Sequence, residues 1–316
     1  MRILVLGAGG TGGYFGGRLA QAGADVAFLV RPARAAQLRR DGLRIRSPLG
    51  DAEVAVACAT AEELPALAVR QPFDLVLLSC KAYDLDSAIE AVAPAVGAET
   101  AVLPILNGLR HYDALDARFG ASRVLGGLCF ISAAKGPQGE ILHLGKPASL
   151  TFGERAPGTG TAHLRAFDAL CAQAGIDRLH SPRIAQEQWG KFAFLTALAA
   201  GTCLMRASIG GIVAAEGGAA LMEALYRECL AVAGAAGEPV PAQAADAARE
   251  TLTRAGSPLT ASMLRDLEAG QPVEAAHIVG DMLHRARAAG QCAPSLAAAW
   301  THLQCYEARR ATAAPA

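Results

Sequence analysis

The pattern of hydrophobic and polar positions changes near residue 181. Before it, short apolar runs rich in Val, Ile and Leu alternate with longer segments of helical spacing. This alternation is typical of a parallel sheet covered by helices, whose strands are buried on both faces. After it, alanine-rich segments with helical spacing dominate. We therefore predict an α/β domain over residues 1–182, followed by an all-α C-terminal domain over residues 183–316.

The opening residues predict a strand, a helix and a second strand. Arg2–Leu6 is a short apolar run that suits a buried strand, and a helical segment follows to about Ala22, where Gly23 ends it. The apolar run Asp25–Val30 then forms the second strand. Later apolar segments predict further strands, the last of them an antiparallel pair joined by a Gly-Pro-Gln-Gly turn. These segments cover residues 73–84, 100–109 and 124–154.

The turn between the first strand and the first helix has the spacing G-x-G-x-x-G. Gly7 permits a tight turn, Gly9 lets the backbone approach a pyrophosphate, and Gly12 lets the helix pack close to the sheet. An ordinary glycine-rich turn is the alternative, but it leaves Gly16 and Gly17 inside the helix unexplained. We predict a dinucleotide site, with phosphates at the helix N-terminus. Its residues are Gly7, Ala8, Gly9, Gly10, Thr11 and Gly12.

The end of the second predicted strand indicates which dinucleotide binds. An NAD site usually has an acidic residue there, which binds the ribose 2′-hydroxyl. This chain has no acid at that point and carries Arg31 and Arg34 instead. A guanidinium is a bidentate partner for a 2′-phosphate, so we predict a Rossmann-type NADP-binding domain and NADP(H) as the cofactor. The alternative is that both arginines only begin a solvated basic helix.

Two polar residues follow the carboxyl ends of later predicted strands. Lys81 comes after the strand in residues 73–84, and Asn107 ends the strand in residues 100–109. Ligands bind at this edge of doubly wound sheets, so both are candidate ligand contacts. Asn107 is followed by glycine, and an Asn-Gly pair is also a common turn.

The segment from Ser181 to Met205 contains one lysine, Lys191, just before a long uncharged run. Ser181 and Pro182 predict a helix N-cap and a first helical residue. One interpretation of Lys191 is that its stem packs while its charge reaches water. The other is that it faces a cleft as a proton donor, with a pKa lowered by burial.

Composition excludes several classes of function. Lys plus Arg and Asp plus Glu are both 29, and aromatic residues are 5%, which argues against nucleic-acid or membrane-surface partners. The uncharged run after Lys191 is too short to span a bilayer. The eight cysteines include no C-x-x-C pair, so we expect no metal site and a reducing, cytoplasmic location.

Several segments resemble the ketopantoate reductase (2-dehydropantoate 2-reductase) family. They are LGAGGTGGYFGGRLAQAGADVAFLVR, SCKAYD, ILNGL, EQWGKF and SMLRDLEAGQPVEAAHIVGDMLHRARAAGQCAP. The resemblance covers nearly the whole chain. It implies an NADPH domain joined to a helical domain, and reduction of a small-molecule 2-keto acid to a D-2-hydroxy acid. A homodimer is the assembly we consider.

The resemblance also assigns roles by position. Lys191 matches the catalytic lysine, the general acid, and Glu274 matches a glutamate near lysine, cofactor and substrate. Ser262 matches a serine on the substrate carboxylate side. The alternatives are that Ser262 only caps a helix and that Glu274 only pairs with a surface base such as Arg265. The positions that match cofactor contacts are Lys81, Asn107 and Ala134.

The chain departs from the family at three substrate positions. Typical members have asparagines where this chain has Leu195, Ala199 and, approximately, Ile209. Leu195 and Ala199 share a helix face with Lys191, because the spacing is i, i+4, i+8. An apolar site discriminates poorly for a substrate hydroxyl, so we expect ketopantoate or a more apolar relative as substrate. The alternatives are a D-2-hydroxyacid dehydrogenase, an imine reductase and a non-catalytic NADP(H) sensor.

Overall fold

A computed structural model describes residues 1–156, 158 and 160–313 of the chain. It divides into two compact units. Unit 1 comprises Met1–Leu106 and His111–Ile184, and unit 2 comprises Asn107–Arg110 and Ala185–Ala316. Unit 1 is an α/β structure with a parallel sheet, and unit 2 is helical, which confirms the predicted fold class.

The first sheet of unit 1 has five strands, all paired in parallel. Its central strand is apolar because it is covered on both faces, and Ile3, Leu4 and Val5 have no exposed surface. In spatial order the strands are β5 (Ala57–Ala59), β2 (Asp25–Leu29), β1 (Arg2–Leu6), β6 (Leu75–Leu78) and β7 (Ala101–Pro104).

Six α-helices belong to the described part of unit 1. The first begins directly after the glycine turn, and Gly23, at φ +87°, follows its end. Pro32 stands in the first turn of the second helix, where its missing N–H costs nothing. The helices are α1 (Gly10–Gln21), α2 (Pro32–Asp41), α3 (Leu64–Arg70), α4 (Leu85–Val92), α5 (His111–Phe119) and α6 (Thr161–Gln173).

A second sheet completes unit 1. Its longest strands form the predicted antiparallel pair, closed by a turn in which the Gly139 N–H donates to the Gly136 carbonyl at 3.0 Å. The short strands Leu43–Arg46 and Ala52–Val54 were not predicted, because their apolar runs are too brief to stand out. The strands are β3 (Leu43–Arg46), β4 (Ala52–Val54), β8 (Gly126–Lys135), β9 (Ile141–Gly153) and β10 (Asp177–His180).

Seven helices form unit 2, whose described residues contain no strand. Apolar side chains from several of them, including Met222, Leu225 and Met282, have no exposed surface and make one core. The helices are α7 (Ile184–Met205), α8 (Ile209–Ala214), α9 (Gly218–Ala235), α10 (Ala242–Leu252), α11 (Ser262–Glu268), α12 (Val279–Ala288) and α13 (Pro294–Ala313).

Helix α7 begins two residues later than Ser181 and Pro182 predict. Ser181 still belongs to the sheet region, because its N–H donates to the Phe152 carbonyl at 2.8 Å. Its hydroxyl accepts a hydrogen bond from the Arg183 N–H at 3.1 Å and so closes a turn ahead of the helix. The Ser-Pro pair therefore marks the approach to the helix and not its first residue.

Four of the cysteines are small residues of the buried core. None of the eight forms a disulfide, and Cys129, Cys171, Cys203 and Cys229 are buried. Burial raises the pKa of the Cys203 thiol to about 12, so it stays protonated at neutral pH. No helix in the described part of the chain is both long enough and apolar enough to cross a bilayer.

Candidate functional site

The glycine turn joins β1 to α1 in unit 1. Gly7 has φ +83°, and its N–H donates to the Leu29 carbonyl at 2.9 Å, which ties the turn to β2. Within Gly10–Gln21, all of which the structure describes, α1 has no side-chain cap and no acidic side chain in its first turn. The first N–H groups of α1 therefore have no side-chain acceptor, which suits an anion.

Two glycines of this turn have no room for a side chain. A Cβ atom on Gly12 would lie 2.3 Å from Ser79 Oγ and 2.6 Å from the Gly7 carbonyl oxygen. A Cβ atom on Gly10 would lie 2.4 Å from the Ala133 carbonyl oxygen and 3.0 Å from the Ala134 nitrogen. The backbone of Ala134 is thus next to the turn.

Gly16 and Gly17 bring α1 close to both sheets. A Cβ atom on Gly16 would lie 2.8 Å from the Phe28 ring, and one on Gly17 would lie 2.6 Å from Leu43. Gly16 and Gly17 therefore have a packing reason that the fingerprint does not include. A Cβ atom on Gly9 would meet no described atom within 4 Å, which leaves space for a ligand at that position.

The two arginines after β2 have different surroundings. Arg31 precedes α2, its side chain is 87% exposed, and its Nη2 lies 3.9 Å from Asp84 Oδ1. Arg34 is half-buried, and its Nη2 donates to the Ala8 carbonyl of the glycine turn at 3.0 Å. Burial, followed by the positive charge of Arg44, lowers the pKa of the Arg34 guanidinium, which still remains charged at neutral pH.

Sequence reasoning missed two residues that hold this region together. The Ser79 hydroxyl, just after β6, donates to the Leu6 carbonyl at 2.9 Å and so joins the carboxyl ends of β1 and β6. Arg44, on β3, adds a second positive charge near Arg34. Lys81 is half-buried, and its carbonyl accepts a hydrogen bond from the Asp84 N–H at 2.9 Å. Ser79 lies in the segment SCKAYD but was given no role there, and Arg44 lies outside every segment that carries the resemblance.

Lys191 and Asn107 meet in unit 2. The half-buried Lys191 ammonium donates a hydrogen bond to Asn107 Oδ1 at 3.2 Å. Asn107 belongs to the short segment Asn107–Arg110, which packs with the helices of unit 2. Gly108 makes this packing close, because a Cβ atom there would lie 2.6 Å from the His277 carbonyl oxygen. Residues far apart in the sequence are thus brought together.

Glu274 is buried in the same unit. The residue is only 5% exposed. Its backbone carbonyl accepts hydrogen bonds from the His277 and Ile278 N–H groups, both at 3.1 Å. Arg265, in contrast, is exposed. The burial of Glu274 argues against a role limited to an exposed surface ion pair.

Ser262 is the first residue of α11 and is half-buried. The residue at the N-cap position is Ala261, and no side chain caps the fully described helix α11. The cap alternative for Ser262 is therefore wrong. The Ala261 N–H instead donates to Thr202 Oγ1 at 3.4 Å, and that hydroxyl donates to the Leu198 carbonyl at 2.7 Å. Thr202, which sequence reasoning missed, thereby ties α7 to the start of α11.

The apolar residues at the three substrate positions are Leu195 and Ala199 on α7 and Ile209 at the start of α8. Leu195 is half-buried and packs against the core, while Ala199 and Ile209 have no exposed surface. Their apolar character therefore has a packing role in unit 2, and direct contact with a substrate stays a prediction. In the described part of the chain, no group of three His, Cys, Asp or Glu side chains could hold a metal ion.

A glycine turn on a parallel sheet, followed by a helical unit that holds a half-buried lysine, is typical of dinucleotide-dependent oxidoreductases. Two family models match the chain. Residues 3–157 match the model Ketopantoate reductase PanE/ApbA, and residues 183–307 match Ketopantoate reductase PanE/ApbA C terminal. The chain belongs to the ketopantoate reductase family, whose members are NAD(P)-dependent oxidoreductases.

Known relatives cover almost the full chain. An uncharacterized oxidoreductase, YkpB of Bacillus subtilis, is 37% identical over 310 residues, or 98% of this chain and 100% of the relative. A 2-dehydropantoate 2-reductase of Mesorhizobium japonicum is 28% identical over 322 residues, or 94% of each chain. The crystal structure of a PanE/ApbA family ketopantoate reductase from Ralstonia eutropha is 27% identical. It has a TM-score of 0.86 and covers 98% of this chain and 100% of that one.

Proposed function

We propose that this protein reduces a 2-keto acid to a D-2-hydroxy acid with NADPH, and that Lys191 is the general acid. The observation that carries the proposal is the hydrogen bond of the half-buried Lys191 ammonium to Asn107 Oδ1, 3.2 Å long. A lysine held in this way has a defined position, from which an ammonium group can act as a donor to a substrate. The family name and the 2-dehydropantoate 2-reductase relative support the same reaction class.

Three residues of the chain have separate roles in this reaction. When bound, NADPH supplies a hydride to the ketone carbon. The Lys191 ammonium stabilises the negative charge that develops on the carbonyl oxygen, and it then donates the proton. Asn107 orients Lys191 through their hydrogen bond. The carboxylate of the buried residue Glu274 offsets the cost of removing the Lys191 charge from water.

The residues at the glycine turn fit a dinucleotide. Gly10 and Gly12 have no space for a Cβ atom, and the first turn of α1 offers backbone donors to phosphates. We assign the 2′-phosphate to Arg31, whose side chain is 87% exposed and so can turn to meet a ligand. Arg34 holds the Ala8 carbonyl and adds a second positive charge.

Cofactor choice is tested by two substitutions. Arg31→Asp is expected to raise the KM for NADPH about tenfold or more and to change the KM for NADH little, because only NADPH loses a charged partner. Arg34→Gln should weaken both cofactors, since it releases the glycine turn. Arg70→Gln, an exposed arginine outside these contacts, is the matched control. Equal effects of Arg31→Asp on NADPH and NADH would remove the 2′-phosphate assignment.

We propose a substrate more apolar than ketopantoate, with ketopantoate itself as the second candidate. Leu195, Ala199 and Ile209 replace residues that could hydrogen-bond a substrate hydroxyl. A hydroxyl placed in such a site loses its hydrogen bonds to water without replacement, which lowers kcat/KM. Branched and aromatic 2-keto acids without a hydroxyl avoid this loss.

A substrate panel tests the proposal. The purified protein is assayed with NADPH and ketopantoate, pyruvate, 2-ketoisocaproate, phenylpyruvate and phenylglyoxylate, with NADPH oxidation as the readout. We expect an apolar 2-keto acid to exceed ketopantoate in kcat/KM by about tenfold, as one unsatisfied hydroxyl implies. Ketopantoate with the highest kcat/KM by a wide margin would overturn the apolar assignment. Tight NADPH binding without turnover of any keto acid would favour a sensor.

A further inference from the structure

A cavity in unit 1 lies on a face of α1 that the proposed reaction does not use. Its volume is about 510 Å³, within the range of small-molecule sites. It is bounded by α1, by the Lys146–Ala148 part of β9 and by the connection from α6 to β10. None of residues 7–12, which form the glycine turn, lines it. From α1 it takes Tyr14, Arg18 and Gln21, spaced i, i+4 and i+7 on one helix face.

Tyr14 is the buried polar group of this cavity. The residue is only 3% exposed, and its hydroxyl makes no hydrogen bond with any described residue. Its ring is held by neighbours, with centroids 4.7 Å from His143 and 5.4 Å from Phe15. His143 is itself fixed by contacts to Ser47 Oγ at 2.9 Å and to the Pro147 carbonyl at 3.1 Å. The Tyr14 hydroxyl is not among the side-chain atoms that are both buried and unpartnered, so it borders the cavity and can donate a hydrogen bond to a ligand there.

Arg18 supplies a positioned positive charge beside Tyr14. Its guanidinium carbon lies 5.2 Å from the Tyr14 ring centroid. Its Nη1 donates to Gln21 Oε1 at 2.9 Å, and its Nη2 donates to the Gly50 carbonyl. Among the described residues, no carboxylate lies within ion-pair distance of Arg18. The guanidinium is therefore held in place by uncharged hydrogen-bond partners, and the Asp51 carboxylate interacts with its charge at longer range.

The remaining lining residues fix the class of ligand. Lys146 adds a second positive charge at the exposed edge, where Asp177 is the one acidic lining residue. The lining therefore carries a net positive charge, and its side-chain donors suit an oxyanion. Pro147, Ala148 and Ile176 offer apolar surface for the rest of a ligand. We propose that this cavity is a second binding site, which takes a small organic anion with a carboxylate or phosphate group on an apolar body.

Titration calorimetry on the full-length protein tests the proposal with probes of matched size. Phenyl phosphate and benzoate present the two anionic groups on the same ring, and benzyl alcohol is the neutral control. We expect at least one anionic probe to bind with a Kd below about 1 mM, and benzyl alcohol to bind about tenfold more weakly. Tighter binding of phenyl phosphate assigns a phosphate ester, and tighter binding of benzoate assigns a carboxylate.

Substitutions locate the bound probe. Arg18→Gln and Tyr14→Phe should weaken the better probe about tenfold and about threefold, because they remove a charged donor and a neutral donor. Lys146→Gln, at an exposed position that folding does not need, should weaken it as well. Arg31→Asp, outside the cavity, should leave the Kd unchanged. The proposal is overturned if neither anion binds, if benzyl alcohol binds equally, or if Arg31→Asp abolishes binding while Arg18→Gln and Lys146→Gln retain it.

Discussion

The glycine turn of unit 1 and the lysine site of unit 2 use side chains in opposite ways. In the turn, the absence of side chains matters, because a Cβ atom on Gly10 or Gly12 would overlap neighbouring atoms. In α7, one charged side chain matters, and an uncharged apolar run follows it. The turn is local in sequence, whereas Lys191 and Asn107 come together only through folding. Shape requirements of this kind are therefore easier to predict than side-chain partnerships.

The largest effect is expected at Lys191. Lys191→Ala should lower kcat/KM for the best keto acid about a thousandfold, because general acid catalysis and charge stabilisation are both lost. The Kd for NADPH should change by less than about threefold if the cofactor depends on the glycine turn. Steady-state kinetics and fluorescence titration with NADPH measure the two quantities.

Arg183→Ala is the matched control for Lys191→Ala. Arg183 is an exposed cation just before α7, so its loss should leave both quantities near the wild-type values. Turnover of Lys191→Ala at the wild-type rate, with NADPH still bound, would show that another group donates the proton.

The second-largest effect is expected at the glycine turn. Gly12→Ala places a Cβ atom 2.3 Å from Ser79 Oγ and 2.6 Å from the Gly7 carbonyl oxygen, so the turn must shift. We expect the Kd for NADPH to rise about a hundredfold and the free energy of unfolding to fall by about 1–3 kcal/mol. Binding titration and chemical denaturation measure the two changes.

Gly234→Ala provides the opposite case in unit 2. Gly234 is exposed on α9, and a Cβ atom there would meet no described atom within 4 Å. Alanine should therefore raise the free energy of unfolding by about 0.5–1 kcal/mol through helix propensity. If the Gly12→Ala variant binds NADPH with wild-type affinity, the steric role assigned to Gly12 in the turn is wrong.

The same contrast explains how much the sequence could predict. The strand, glycine turn and helix at the start of the chain were predicted because hydrophobic period and glycine spacing act over short distances. The fold class followed from the change of pattern near residue 181. Strands β3, β4 and β5 were not predicted, since each has only three or four residues and depends on its neighbours for stability.

The candidate site was predictable in part. Resemblance to the family indicated Lys191 and Glu274, and the structure adds that Glu274 is buried. The resemblance assigned Asn107 to the cofactor, and its bond to Lys191 was not foreseen. Thr202 and Ser79 could not be found either, because their partners are backbone carbonyl groups that any sequence provides.

The third effect tests Asn107 as the positioning residue of Lys191. Asn107→Leu removes the acceptor and should lower kcat about tenfold, because the ammonium loses its orientation. Asn107→Asp keeps an oxygen at this position and should retain more of kcat. If Asn107 acts mainly on the cofactor instead, the KM for NADPH will rise while kcat stays near the wild-type value. Full kinetics at varied NADPH and keto acid concentrations separate these outcomes.

The smallest effect is expected at Leu195, and it tests whether α7 contributes to substrate choice. Leu195 is half-buried, one helical turn after Lys191, so an asparagine there can point in the same general direction as the lysine. Leu195→Asn should raise kcat/KM for ketopantoate, relative to the best apolar keto acid, by about threefold to tenfold, as one new hydrogen bond allows. Leu195→Ala is the control, because it removes the same apolar surface without adding an amide. If both variants give the same ratio, position 195 does not contact the substrate, and the apolar residues of α7 serve only the packing of unit 2.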